Sequence, residues 1–399
     1  MNIINESADE IVNENSTYDK NINTWDELNL NTDILRGIYA YGFENPSPIQ
    51  CKAILPILEN KNVIAQAQSG TGKTGAFTIS ALSKLNLSNN TTQVLILTPT
   101  RELTTQITKV IRGISTMMND INIKTLVGGS SVERDIMDLK KNPPHIIVGC
   151  MGRVYDMLCR KALNYKHIKL LIVDEADEML TSGFKLQLQS IFEYLNQDIQ
   201  IALFSATMPS HMKSITDKFV TNPVNIVVKK EQLTLEGINQ YYVALANDTD
   251  KYLTLKDLYA SMSVSQCIIY CNSVRRVSDL YASMQDDGFP VCCIHSNMDK
   301  VSRENSLSEF TKGKYRVLIS SNVTARGIDI QQVSIVINFD LPKCIHTYLH
   351  RIGRGGRWGR KGVGINFITR RDVDKMREIE QYYSTEINEL PMNFMDNIA

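Results

Sequence analysis

The chain has no excess of charge of either sign: 43 Lys and Arg stand against 43 Asp and Glu in 399 residues. There is thus no global basic field to hold nucleic acid non-specifically, and any contact with a polyanion has to be local. The eight cysteines, at 51, 150, 159, 267, 271, 292, 293 and 344, include no CxxC pair. That spacing supports neither a zinc site nor a disulfide framework, and buried free thiols are the expectation. His145, His167 and His211 are scattered without metal-ligand spacing and read as surface or packing residues. No apolar run approaches the roughly 20 residues that span a bilayer. The N-terminus also lacks a basic segment followed by an apolar core. A soluble, cytoplasmic protein is expected.

What is present is an apolar content of 43%, ample for large cores, in a chain long enough for more than one domain. Residues 1–22, rich in Asn, Glu and Asp, read as a flexible tail. From 23 to 228 the β-type runs VIAQ, QVLILTPT, HIIVGC, LLIVDEAD, QIALFSAT and VNIVV alternate with helix-like stretches. Such alternation implies a parallel sheet covered by helices. Residues 229–238, KKEQLTLEGI, hold no sustained pattern and read as a linker. The rhythm then restarts over 239–399 with NQYYVAL, QCIIYCN, PVCCIHS, YRVLISS, SIVINFD and GINFIT, which predicts a second α/β domain.

Chemistry enters with AQSGTGKT at 67–74, which follows the apolar run Val63-Ile64-Ala65. A strand turning through Ser69, Gly70, Thr71 and Gly72 into a helix headed by Lys73 and Thr74 cradles phosphate. Backbone N–H groups converge on the β-phosphate, Lys73 reaches the β/γ oxygens and the Thr74 hydroxyl can ligate Mg²⁺. About a hundred residues later Leu170-Leu171-Ile172-Val173 delivers Asp174 and Glu175 at the carboxyl end of another buried strand, where open α/β sheets bind ligands. Asp174 is placed to hold Mg²⁺ through water, and Glu175 to orient or deprotonate the attacking water. A nucleoside triphosphate site is the reading, and the Gly-Lys-Thr turn disfavours a dehydrogenase. The string HRIGRGGRWGR at 350–360 offers Arg354 and Arg357 as fingers for the γ-phosphate, so hydrolysis would need both domains.

At this point the chain resembles the DEAD-box RNA helicases, with motifs matching in order from Trp25 to about Gly362. The fold implied is two tandem RecA-like domains of the α/β class, each a mostly parallel sheet with helices on both faces. GFENPSPIQ at 42–50, with Trp25 upstream, resembles the family's adenine-reading motif and assigns Trp25, Phe43 and Gln50 to ATP. A glutamine amide can pair with adenine N6 and N7, which favours ATP over GTP. Asp329 in ARGID is implied at the ATP ribose. For RNA the resemblance implies Pro99, Thr100, Arg101, Gly128, Gly129, Gly152 and Arg153 in the first domain, and Asn272, Lys300, Arg303 and Ser320 in the second. Asp177, Ser205, Thr207, His350 and Arg351 are implied as couplers between the domains.

Longer strings such as LRGIYAYGFE, VDEADEML and ARGIDIQQVS resemble the translation-initiation branch of the family. That branch implies local unwinding of structured messenger RNA, scaffold protein partners, no membrane association and a monomer. The chain departs from the family pattern on the RNA side, at Cys150-Met151, Ser296-Asn297, Lys300 and Asn322, which stand where Thr-Pro, Gly-Asp, Gln and Asp are usual. Single-stranded RNA bound without base reading, and released on ATP hydrolysis, is the expected function. An ATP-gated RNA clamp with little turnover, held in a larger complex, is the alternative.

Overall fold

The computed structural model describes residues 18, 20–67, 70–180, 184–208, 210–227, 238–261, 266–325, 333–355 and 362–391. Most of the expected tail, nearly all of the expected linker, and Ser69, Asp329, Arg357 and Trp358 lie outside them. The described residues form two seven-stranded sheets. The first contains β1 (Val63–Gln66), β2 (Val94–Thr98), β3 (Ile123–Leu126), β4 (Ile146–Cys150), β5 (Leu170–Asp174), β6 (Gln200–Ser205) and β7 (Val224–Val227). The second contains β8 (Ile238–Ala244), β9 (Cys267–Tyr270), β10 (Val291–Ile294), β11 (Val317–Ser320), β12 (Ile335–Asn338), β13 (Gly362–Ile368) and β14 (Asn388–Glu389).

Strand order is β3-β4-β2-β5-β6-β1-β7 in the first sheet and β10-β11-β9-β12-β13-β8-β14 in the second. Counted from the first strand of each sheet, the two orders are the same, and the paired strands are parallel. The halves are topological repeats although only the first carries a glycine-rich phosphate turn. Parallel pairing buries both faces, which is why β2, β5 and β6 are buried throughout. Side chains alternate between faces. Val63, Ala65, Val94 and Ile96 pack on one side of the first sheet with Phe77 and Ile107, whereas Ile64, Leu95 and Leu97 pack on the other with Val154 and Leu188.

Two strands are absent from the sequence reading, β3 and β14. Both are sheet edges. β3 reads IKTL and is mostly half-buried, and β14 is two exposed residues. Neither presents the continuous apolar run by which the central strands are recognised. Among the described residues no helix is long and apolar enough to cross a membrane.

Helix ends point at the site. Pro48–Leu58 opens with a capping box in which Ser47 and Gln50 exchange side-chain and backbone bonds, and with proline in its first turn. Thr100 caps Arg101–Ile114 by accepting from the Leu103 N–H at 3.3 Å. The outermost helix of the first half, Thr32–Ala40, crosses close to the end of Arg101–Ile114. A Cβ on Gly37 would run into the Ile114 carbonyl oxygen. Gly37→Ala is therefore expected to lower stability by about 1–3 kcal/mol, the usual cost of forcing extra volume into a packed contact, read as a lowered thermal transition of the first half.

Candidate active site and RNA interface

The phosphate turn leaves β1 and enters the helix Lys73–Ser83. Gly70 and Gly72 hold φ of +85° and +104°, which a side chain would strain. Gly72 is also crowded, since a Cβ there would meet the Ser47 hydroxyl and the Gln50 amide. Gln50 Nε2 donates to the Gly72 carbonyl at 3.2 Å and its Oε1 accepts from the Ser47 N–H at 2.7 Å. The glutamine thus ties the segment 43–50 to the phosphate turn. Phe43 lies against Gly75. Trp25 has no exposed surface and reaches this region only through its Nε1–H, which donates to the Phe43 carbonyl at 3.0 Å. It positions the Phe43 loop from behind.

Lys73 is buried and its Nζ has no hydrogen-bond partner, with Glu175 Oε1 at 3.9 Å. Asp174 and Glu175 are each 2% exposed. Burial, and then the neighbouring Glu175 charge, push the Asp174 carboxyl up to about 7. Two adjacent carboxylates are thus buried beside the Lys73 ammonium. The donor set of Asp174 and the Thr74 hydroxyl fits a hard divalent cation, and the unpartnered Lys73 ammonium fits a phosphate. Glu175 occupies the left-handed region at φ +53°, strain of the kind that collects at functional turns.

From this strand end a hydrogen-bonded chain runs to the second half. Ser205 Oγ donates to the Thr207 carbonyl at 2.6 Å and accepts from the Asp177 N–H at 3.2 Å. Thr207 Oγ1 donates to Asp177 Oδ2 at 2.7 Å, and the same oxygen lies 2.9 Å from His350 Nε2. His350 Nδ1 is 4.0 Å from Glu175 Oε2. His350, Arg351 and Arg354 share the helix Ile345–Ile352 and the turn after it. Arg354 is 2% exposed and its Nε donates to the His350 carbonyl at 3.3 Å.

Arg351 behaves differently from the coupling role implied for it. It has no exposed surface and spends its guanidinium inside the second half, on Asn272 Oδ1 at 2.8 Å, Asn338 Oδ1 at 3.0 Å, the Asp340 carbonyl at 2.7 Å and Asn322 Oδ1 at 2.7 and 2.9 Å. Burial pushes its pKa down to about 10. Asn322, one of the departures from the family pattern, thus serves as a neutral acceptor to a buried cation.

On the RNA side, Thr100 and Arg101 begin the helix Arg101–Ile114 next to Pro99, and the Arg101 guanidinium lies over Gly128 and Gly129. Gly152 is exposed at the start of Met151–Cys159, and Lys300 is 38% exposed at the start of Lys300–Thr311. Ser296 and Asn297 are exposed as well. Two expected RNA residues are turned inward instead, and a third, Asn272, is exposed but has its side-chain amide engaged within the second half. Ser320 has no exposed surface, because it ends β11 within the sheet and donates to the Ile294 carbonyl at 3.1 Å. Asn272 is bonded to Arg351 and the Leu341 carbonyl. Arg303 pairs across the two halves with Glu102, at 2.7 Å to either carboxylate oxygen, both side chains under 10% exposed. Sequence reasoning missed Glu102, whose partner lies 201 positions away.

With the geometry in hand, the chain can be compared with known proteins. Residues 47–215 match the DEAD/DEAH box helicase family and residues 250–359 the helicase conserved C-terminal domain. The chain belongs to the DEAD-box ATP-dependent RNA helicases. Among its relatives, the ATP-dependent RNA helicase eIF4A of Eremothecium gossypii is 50% identical over 394 residues, covering 98% of this chain and 99% of the relative. Among solved structures, S. cerevisiae Dbp5 bound to RNA and ADP BeF3 superposes with a TM-score of 0.88 at 34% identity, covering 94% of this chain and 97% of that one. Mss116p bound to ssRNA and AMP-PNP gives a TM-score of 0.83 at 25% identity, covering 96% and 83%.

Two tests follow from the interface. Glu102→Ala leaves Arg303 buried without its carboxylate, a change worth about 3–5 kcal/mol against the closed arrangement. Fluorescence transfer between labels on the two halves should then fall in the presence of ATP and RNA, while each half keeps its thermal transition. Cys150 precedes Met151–Cys159 without a side-chain cap and turns its Sγ to Thr104 Oγ1 at 3.3 Å. Cys150→Thr supplies a capping hydroxyl, worth about 0.5–2 kcal/mol to the helix, and is expected to tighten RNA in a binding titration.

Proposed function

We propose that this eIF4A-like helicase closes its two halves around ATP and a single RNA strand, separates short duplexes locally, and reopens on hydrolysis. The observation that carries this reading is the seam itself: buried Glu175, Asp177 and His350 lie within 4.8 Å of one another although they come from both halves. Phosphate binds the Gly70–Thr74 turn and Lys73. Gln50 and Phe43 face the adenine, with Trp25 supporting them, and Asp329 takes the ribose. Thr74 and Asp174 would hold Mg²⁺, which when bound would supply positive charge to the phosphate oxygens. Glu175 orients the attacking water, and Arg354 with Arg357 stabilises charge in the transition state. Asp177 and Thr207 sense whether His350 has docked, so RNA grip and hydrolysis become one event.

RNA is read along its backbone. Pro99, Thr100, Arg101, Gly128, Gly129 and Gly152 in the first half, with Lys300 in the second, present amides and charges to consecutive phosphates. A strand held this way is bent and cannot remain in a continuous duplex. Target choice then falls to protein partners of the scaffold type, in translation initiation, in the cytoplasm, with the helicase acting as a monomer. The likeness to eIF4A over nearly the whole chain supports this placement.

The test is steady-state ATP hydrolysis with single-stranded RNA, with single-stranded DNA and with no polymer, using Glu175→Gln as the inactive reference. RNA alone should stimulate turnover. Arg354→Ala should lower the stimulated rate by about a thousand-fold or more, as loss of an arginine finger does, while ATP still binds. Stimulation by DNA as strong as by RNA, or wild-type turnover in Arg354→Ala, would overturn the mechanism. RNA binding without any stimulation would instead support a clamp with little turnover.

A further inference from the structure

Arg153 belongs by motif to the RNA contacts, yet its surroundings leave it little to offer a phosphate. It lies in the first turn of Met151–Cys159 with its side chain 8% exposed. Nη1 donates to Asp135 Oδ2 and, at 3.0 Å, to Ser130 Oγ, while Nη2 donates to the Ser130 carbonyl at 2.9 Å. Ser130 Oγ, with a single proton to donate, lies 2.9 Å from the Val127 carbonyl and 3.1 Å from Asp135 Oδ2. Asp135 Oδ1 lies 3.0 Å from Lys124 Nζ on β3. One guanidinium therefore joins four segments: its own helix, the loop after Gly128-Gly129, the helix Val132–Lys141 and, through Asp135, the edge strand.

Arg101 supplies the contrast. Its guanidinium lies over the same glycines, at 3.2 Å from where a Cβ of Gly128 would stand and 3.1 Å from that of Gly129. Gly129 has φ of +87°, which glycine adopts without steric cost but with a large loss of chain freedom that a brace on the loop helps to offset.

We propose that Arg153 is a positioning residue: it fixes the Gly128-Gly129 loop under Arg101 as a preformed ledge for RNA phosphate and makes no phosphate contact of its own. The proposal rests on the RNA-clamp reading above and assigns the work within it differently. Its physical basis is preorganisation, since a ledge already ordered loses less freedom when RNA arrives. The planar fork of arginine bridges a carboxylate, a hydroxyl and a carbonyl at once, which a lysine point charge cannot do.

The test is equilibrium binding of the full chain to single-stranded oligouridylate RNA with a non-hydrolysable ATP analogue, over a series of salt concentrations. Wild type, Asp135→Asn, Arg153→Lys and Arg153→Ala are compared, with ATP affinity in the absence of RNA measured in parallel. A positioning role predicts that Asp135→Asn, which removes no basic group, weakens RNA by roughly ten-fold, a kilocalorie-scale relaxation of the ledge. It also predicts that Arg153→Lys does not rescue binding, that the salt dependence of Arg153→Ala keeps its wild-type slope, and that ATP affinity is unchanged. A phosphate ligand predicts the reverse: Asp135→Asn frees the guanidinium and holds or tightens RNA, Arg153→Lys retains most affinity, and Arg153→Ala lowers the slope by about 0.7. Should Asp135→Asn fail to fold, the slope of Arg153→Ala decides alone. A wild type that binds no RNA would sink the clamp reading itself, whereas a binding wild type with an unweakened Asp135→Asn overturns only the positioning role.

Discussion

Buried charge at the seam is the constraint on which the structure depends. Asp174, Glu175 and Asp177 crowd the end of β5 and the turn after it, with the Lys73 ammonium and the His350 ring beside them. Such a cluster is costly unless cations and hydrogen bonds complete it. The first half supplies Lys73, Thr207 and Ser205, and the second supplies His350 and Arg354. In the closure proposed above, a nucleotide and a divalent cation would complete the compensation of these charges, and the nucleotide would act as a switch for the relative position of the halves.

The second half has to deliver its histidine and arginine without a phosphate turn of its own to organise them. It does so with a buried polar network of its own. Arg351 is caged by the amides of Asn272, Asn322 and Asn338, and Asn338 Nδ2 donates to Asn366 Oδ1 at 2.9 Å. Asn366 passes the network to Tyr348, and Tyr348 to Gln240 on β8 at 2.8 Å. The helix Ile345–Ile352 is thereby held to three strands, β8, β12 and β13, so His350 and Arg354 leave it in fixed directions. A buried network earns this rigidity only when its members are satisfied, and the Asn322 amide still gives Arg351 two acceptor contacts in place of a carboxylate.

Reading the sequence locates the phosphate turn, the acidic strand end and the arginine string because each is local: a few consecutive residues fix the backbone path and the chemistry together. It also finds twelve of the strands: most are central and appear as apolar runs, and the edges β7 and β10 are found as well because VNIV and VCCI are themselves mostly apolar. It does not find the edges β3 and β14, and it does not show how long-range packing places side chains. Trp25, Ser320 and Arg351, expected at ATP, at RNA and between the domains, are each turned inward by neighbours distant in the chain.

The sequence by itself determined the α/β class, the existence of two halves, the phosphate turn and the family, because alternating apolar periodicity and contiguous motifs are written in order along the chain. Only the tertiary structure decided that the two sheets share one strand order and that Glu102 meets Arg303. It alone also showed that Gln50 is bonded to the phosphate turn and that Arg153 braces the Gly128-Gly129 loop. Those facts depend on which side chains meet after distant segments pack, and a hydrogen bond between residues 201 positions apart leaves no local trace in either of them.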